Sequence, residues 1–238
     1  MSAEKYHTFY ELIQKRSALI NPAAHTEIDL SEIPAPINWQ ALFGNDHPVE
    51  MEIGCGKGKY LLEASQQCPE INFIGVERGR KYIERARVRL ERWVAETARD
   101  SSAPLRRCRA SVSNVRLIWS DAAYFVGRYI PEASVSAYHV YFPDPWPKKR
   151  HNRRRLFRNE IWLESLRRTL KPNEGRIHIA TDHAEYFYEI HYTLSHMPPL
   201  VYVPSLTPDT PRILTSFEMK YRAEGRKIYR AVYQMKGG

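Results

Sequence analysis

Two stretches of this chain place reactive residue types at spacings that could do chemistry. The first, "YFPDPWPKKRHNRRRLF", runs from Tyr141 to Phe157 and holds one carboxylate, Asp144. Between Lys148 and Arg158 there are seven Lys or Arg and no acid. A lone carboxylate can stabilise positive charge that develops on a reacting group. Cations beside it can hold the phosphates that deliver that group. Pro143 and Pro145 restrict the backbone that presents Asp144. The order Asp144-Pro145-Trp146-Pro147 differs from the D/N-P-P-Y/F/W loop that grips exocyclic amino groups, because its second proline is displaced. Trp146 stacks on a base or faces the core. His151 reads as a phosphate or hydrogen-bond contact, since no second ligand stands at metal spacing. No metal is expected.

The second stretch is "EIGCGKG", with Glu52, Gly54, Gly56 and Gly58 at a strand-to-helix turn. Glycines there permit positive φ and let a ligand approach the backbone. A following strand ends in Glu77, 19 residues beyond Gly58. That separation is near the roughly 20 of a ribose-binding acid. The dinucleotide pattern G-x-G-x-x-G is not matched, because Lys59 stands where the third glycine is required. Glu52 would also repel a pyrophosphate and suits a cationic ligand better. S-adenosylmethionine fits these residues: it carries an ammonium, a sulfonium, a ribose and an adenine, and no phosphate. A tight βα turn with a solvated Glu52 is the alternative. Asp121, in "SDA", either meets the adenine amino group or caps a helix. Asp182, after "GRIHIAT", either accepts from guanine or ribose or caps the helix that starts near Ala184.

These residues need a scaffold that brings strand ends together. "VEMEI" (49–53), "INFIGVE" (71–77), "VRLIW" (115–119), "VSAYHVYF" (135–142), "GRIHIAT" (175–181) and "IYRAVYQM" (228–235) read as strands. Helical spacing appears in "YLLEAS", in Ile83, Ala86, Leu90 and Trp93, and from about Asn159 to Leu170. Alternation of strands and helices predicts an α/β fold with a mostly parallel sheet covered on both faces. Residues 1–48 are polar and Pro-punctuated and read as an N-terminal arm with one short helix. Residues 49–238 read as one domain. Residues 97–113 lack periodicity and read as an insertion.

Composition agrees with a polyanionic partner. The chain has 238 residues, 43% of them hydrophobic, and a formal net charge of +9. Its cations cluster: Arg78 to Arg92 holds seven Lys or Arg against two Glu. Cys55, Cys68 and Cys108 show no C-x-x-C spacing, against a disulfide framework or a zinc site. No apolar run approaches the roughly 18 residues of a membrane span. A cytoplasmic protein without membrane contact is expected.

The pieces "EIGCGKG", "GVE", "SDA", "FPDPWPKKRHNRRR", "ATDH" and "TSFE", in this order from residue 52 to 218, resemble the bacterial tRNA (guanine-N7-)-methyltransferase family. The resemblance implies a Rossmann-like, seven-stranded class I methyltransferase sheet with an antiparallel strand near the C-terminus. It implies methyl transfer from S-adenosylmethionine to N7 of guanine 46 in the tRNA variable loop. A monomer or homodimer with no obligatory protein partner is expected. Glu52, Glu77, Asp121 and Asp144 would contact the cofactor, with Asp144 catalytic. Lys148, Asp182, Thr215, Ser216, Phe217 and Glu218 would contact the substrate. Arg150, His151, Asn152, Arg153, Arg154 and Arg155 would meet the RNA backbone. Ser216 stands where a basic residue is frequent in the family, and the segment 93–113 is longer and more polar than the family pattern. Two other readings stay open: a nicotinamide-dependent oxidoreductase, and a non-catalytic RNA-binding module on the same fold.

Overall fold

The computed structural model describes residues 26–99, 112–207 and 213–237. Among them, β-rich segments form eight strands of one sheet. They are β1 (Glu27–Ile28), β2 (Val49–Ile53), β3 (Asn72–Glu77), β4 (Val115–Trp119), β5 (Val135–Tyr141), β6 (Arg176–Thr181), β7 (Leu200–Tyr202) and β8 (Tyr229–Met235). The helices are α1 (Trp39–Phe43), α2 (Lys59–Gln67), α3 (Arg80–Arg99), α4 (Ala122–Tyr129), α5 (Glu160–Thr169), α6 (Ala184–Ser195) and α7 (Ser216–Ala223). The strand order is β1-β4-β3-β2-β5-β6-β8-β7. Neighbouring strands from β1 through β6 pair in parallel, and β8 runs antiparallel between β6 and β7.

The chain winds outward from β2 in two directions, first to β3 and β4, then back to β5 and β6. The order reverses between β2 and β5. The crevice outside the carboxyl ends of strands at such a reversal is where open α/β sheets bind ligands. The glycine turn follows β2 and the Asp144 loop follows β5, so both motifs open into that crevice.

Two apolar layers hold the sheet. On one face α2 and α3 pack Tyr60, Leu61, Ala64, Ile83, Ala86 and Leu90 against Phe73, Val115 and Leu117. Gly75 lets α2 lie this close, since a side chain there would run into Leu61 and Cys55. The other face is larger and is covered by α1, α4, α5 and α6, with Trp162, Phe125, Tyr138 and Tyr186 fully buried. Asn159 caps α5 by accepting from the Trp162 amide at 3.1 Å. Truncating a buried aromatic such as Trp162 costs about 3–5 kcal/mol.

Two features differ from the sequence expectation. The sheet has eight strands where seven are expected, and the additional one is the edge pair Glu27–Ile28. It forms because the Thr26 carbonyl accepts from Leu117 N–H at 2.7 Å and Glu27 pairs with Arg80 at 2.6 Å. Residues 26–48 are packed: Ile28, Ile37, Leu42 and Phe43 are buried in the larger core. Arg116 ties α1 to β4 through the Leu42 carbonyl at 3.2 Å. The helix α3 also continues to Arg99, past the point where sequence periodicity fades. Arg92 and Glu96 support that extension with an i,i+4 ion pair at 2.6 Å. The rest of the expected insertion, residues 100–111 with Cys108, lies outside the described residues, as do residues 1–25. No helix among the described residues is long and apolar enough to cross a membrane.

Candidate active site

The glycine turn is built from backbone. Gly54 and Cys55 both donate to the Val76 carbonyl, at 2.8 and 3.1 Å, which bends the chain off β2 toward β3. Gly54, Gly56 and Gly58 adopt φ of +72°, +54° and +66°, in the left-handed region. Gly58 is the N-cap of α2, and a Cβ there would sit 2.9 Å from the Ala86 Cβ on α3. Glu77 closes the turn. One carboxylate oxygen accepts from Gly56 N–H at 3.0 Å and the other from Gly79 N–H at 2.7 Å. Each oxygen keeps a lone pair for a ligand hydroxyl.

Glu52 lies under this turn and is only 5% exposed. Its Oε2 has no hydrogen-bond partner among the described residues. Burial, with the Glu77 charge adding to it, pushes the Glu52 carboxyl well above the usual glutamate range. An orphaned buried acceptor of this kind costs free energy until a donor meets it. The solvated Glu52 weighed from sequence is therefore corrected: the side chain is inside. A polar layer missed in the sequence reading stands beside it. His139, opposite Glu52 in the β2–β5 register, contacts Glu50 at 2.8 Å, Tyr141 at 3.0 Å and Tyr60 at 3.2 Å. Its elements were legible, but alternating Glu and His positions inside a sheet carry no motif.

The loop after β5 is strained where the motif is densest. Phe142 and Trp146 adopt φ of +53° and +42°, unusual for residues with a Cβ. Phe142 N–H donates to the Ala180 carbonyl at 2.7 Å, fixing the loop to β6. Asp144 is exposed, with no hydrogen-bond partner among the described residues. The segment Lys149–Arg154 then winds into a 3-10 helix. Asn152 is half-buried, and with its side-chain amide turned so that the nitrogen donates, it reaches the Trp146 and Lys148 carbonyls at 2.7 and 3.1 Å. Lys148, Arg150, Arg153 and Arg154 are exposed. The Arg150 Nε donates to His151 at 3.3 Å, and Arg154 lies over the Trp146 ring at 5.0 Å. One indole face is thus taken by Arg154.

Arg155 corrects the sequence reading. It was expected on the RNA backbone, yet its side chain is fully buried. Its Nε donates to the Pro145 carbonyl at 2.7 Å, and its two other nitrogens reach Glu189 at 2.5 Å and Glu185 at 3.1 Å on α6. The guanidinium lies over the Tyr186 ring at 4.9 Å. With its donors engaged and no exposed surface, Arg155 clamps the residue next to Asp144. Arg158 joins the same acid, Glu189, at 2.7 Å.

The remaining candidates sit on neighbouring strand ends. Asp121 is exposed and caps α4, accepting from Tyr124 N–H at 3.2 Å. Asp182 follows β6, and it is His183 that caps α6. Asp182 instead accepts from Arg226 at 2.8 Å, and Arg226 lies over Tyr221 at 4.3 Å. Thr215 caps α7 by accepting from Glu218 N–H at 3.1 Å. Ser216 and Phe217 are exposed on the first turn of α7. Glu218 turns inward, 1% exposed, and pairs with Arg222 and Arg230.

Two contacts bring α7 onto the motifs. Lys59, first residue of α2, donates to the Leu214 carbonyl at 2.8 Å. Phe142 packs against Phe217 and Tyr221 with ring centroids 6.2 and 5.5 Å apart. The glycine turn, the β5 loop, the β6 end and the start of α7 therefore form one rim. The rim offers a buried acceptor for a cation, an acid for vicinal hydroxyls, an exposed carboxylate on a clamped loop, and a cluster of exposed cations beside it.

Comparison with known proteins shows what this chain is similar to. Residues 46–231 match a family described as "Putative methyltransferase". A tRNA (guanine-N(7)-)-methyltransferase of Rhodopirellula baltica is 34% identical over 236 residues, covering 92% of this chain and 79% of that protein. The protein of the same name from Geobacter metallireducens is 32% identical over 210 residues, covering 85% and 89%. Among solved structures, a 16S rRNA methyltransferase, KamB, superposes with a TM-score of 0.52 at 14% identity, covering 88% of this chain and 94% of that one. An aminoglycoside resistance methyltransferase gives 0.51 at 14% identity, covering 81% and 89%. These two likenesses concern the fold.

Proposed function

The chain belongs to the tRNA (guanine-N7-)-methyltransferase family, and from that premise we propose that it transfers a methyl group from S-adenosylmethionine to N7 of guanine 46 in the tRNA variable loop. The observation that carries the cofactor half is Glu52, a buried carboxylate whose Oε2 meets no donor among the described residues. It sits under three glycines and beside an acid with free lone pairs. A cationic ligand satisfies it, whereas the pyrophosphate of a nicotinamide cofactor would add charge of the same sign.

When bound, S-adenosylmethionine supplies a methyl group on a sulfonium. Glu52 receives the cationic end of the ligand. Glu77 accepts from the ribose hydroxyls while the Gly56 and Gly79 amides hold it in place. Asp121 has an exposed carboxylate for the adenine amino group.

Guanine N7 has an in-plane lone pair and no proton to lose, so the attack has no obligatory general base. What it needs is alignment and stabilisation of the positive charge that the purine acquires. Asp144 accepts from the N1–H or amino edge of the guanine and faces that charge. Arg155 keeps Asp144 in register through the Pro145 carbonyl. Lys148, Arg150, His151, Arg153 and Arg154 hold phosphates, contacts that position the RNA rather than read its sequence. Asn152 braces that loop from within. Asp182 and the exposed Ser216 and Phe217 on the first turn of α7 bound the substrate from the other side, whereas Glu218, expected there from the resemblance, is buried against Arg222 and Arg230 and braces that turn from within, as the Thr215 cap does.

The test is to incubate the enzyme with unmodified tRNA and S-adenosylmethionine labelled in the methyl group, then map the labelled nucleotide. Label at N7 of guanine 46 is expected. N7 label at another guanine would overturn the position, and no transfer to tRNA would overturn the activity.

A further inference from the structure

The fold treats the cations of α3 differently, pairing some with acids and leaving others without one. Arg80, Arg87 and Arg92 each meet an acid one turn on, at 3.1, 2.8 and 2.6 Å from Glu84, Glu91 and Glu96. Arg80 and Arg87 also face Glu27. Arg85 and Arg89 meet no acid among the described residues. They point into a groove of about 390 Å³ between α2 and α3, whose wall also includes Lys57, Leu62, Val88 and Arg92. The acid on that wall, Glu96, is the one already held by Arg92.

We propose that this groove is a second track for the phosphodiester backbone of the RNA substrate, separate from the loop at Lys148–Arg154. The inference rests on the reading of tRNA as substrate. Arg85 and Arg89 are one turn apart, so their side chains form a row spaced by about 6 Å along the helix axis. The row begins at Lys57, which lies within the glycine turn between Gly56, whose amide is on Glu77, and Gly58. It therefore runs outward from the cofactor turn. A row of cations over an apolar floor, Leu62 and the half-exposed Val88, suits an extended polyanion with sugar faces. A compact anion would call for donors that converge on one point, and here they are strung along a helix.

The variant Arg85→Ala/Arg89→Ala in the full chain tests this against unmodified tRNA over a range of salt. The slope of log K against log salt is expected to fall by about 1.4 to 1.8, from roughly 0.7 to 0.9 per lost phosphate contact. Cofactor affinity by calorimetry and the single-turnover rate at saturating tRNA are expected to stay at the wild-type values. Arg87→Ala, whose guanidinium is held by Glu91, is expected to leave the slope unchanged. Arg85→Glu/Arg89→Glu should lower affinity further. An unchanged slope in both double variants would overturn the track, as would lost affinity without lost slope. Should wild-type protein bind tRNA salt-dependently but methylate no guanine, the proposed function fails, and the variants' slopes still decide the groove.

Discussion

The run from Lys148 to Arg158 and the segment from Arg78 to Arg92 each hold seven cations, and the fold uses them in opposite ways. In the first, no acid lies within the run, yet Glu185 and Glu189 of α6 reach across and grip Arg155 and Arg158. The base of the loop is clamped and its tip is left charged. In the second, most of the acids are local, one turn along the same helix, with Glu27 of β1 added at Arg80 and Arg87, and they pair with these cations while Arg85 and Arg89 stay open. Availability of a charge is thus decided by where its counter-charge comes from, and counting along the sequence does not give it. The two regions should also divide the labour: the clamped loop presents a reacting base, and the helix holds backbone.

The harshest way to break this comparison is to remove the clamp. Arg155→Ala leaves the Pro145 carbonyl and the part-buried Glu189 without their partner, and a buried polar group left unsatisfied costs about 1–3 kcal/mol. Denaturant unfolding should show that loss, and Arg155→Lys should recover only part of it, because an ammonium cannot fork between Glu189, Glu185 and Pro145. An unfolding midpoint equal to wild type in Arg155→Ala would refute the clamp.

Next in size is Asp144→Asn. It keeps the shape and one acceptor but loses the charge. Single-turnover methylation should fall roughly 10²-fold, comparable to losing one preorganised electrostatic contact. tRNA affinity should hold, since the free cations supply it. A wild-type rate would move the search to Asp182.

Arg153→Ala/Arg154→Ala sharpens the contrast with the helix. Each lost phosphate contact again removes about 0.7 to 0.9 from the salt slope. Here the single-turnover rate should fall as well, because these cations stand on the loop that bears Asp144. Equal kinetic behaviour in the loop and helix variants would dissolve the proposed division.

The smallest effect concerns pH. Burial and the Glu77 charge hold the Glu52 carboxyl above its ordinary range. The folded protein therefore binds more protons than the unfolded chain just above that range, and unliganded stability falls as pH rises through it. A cationic ligand reverses the preference, so cofactor affinity should rise with pH as Glu52 loses its proton. Glu52→Gln should flatten both trends, raise thermal stability without ligand at neutral pH, and weaken cofactor binding. The groups facing Glu52, namely Glu77, Cys55, Tyr60 and Tyr141, remain in that variant. A pH dependence that persists in Glu52→Gln would assign it to one of them.

Much of this was readable from residue order. "VEMEI" and "VRLIW" are strands at the expected bounds, and the glycine turn and Asp144 loop fall at the strand ends that periodicity predicted. Short or locally ambiguous elements were not readable. β1 has two residues and β7 three, too few for a period. The α7 helix carries no apolar stripe, its one buried side chain being Glu218, and its position is set by Lys59 and Phe142, which are far away in sequence. Arg155 looked like its neighbours Arg153 and Arg154 because a run of identical residue types gives no phase. Its burial follows from Glu189 and Tyr186, which only the fold brings near.

The bond from Lys59 to the Leu214 carbonyl joins residues 155 positions apart. It yokes the turn that would order around the methyl donor to the helix start that would order around the RNA. A ligand that stiffens either side therefore lowers the entropic cost of the other's arrival. Reciprocity then requires that the methyl donor tighten tRNA by the same factor as tRNA tightens the methyl donor. Cutting the yoke should separate two occupancies that otherwise rise together.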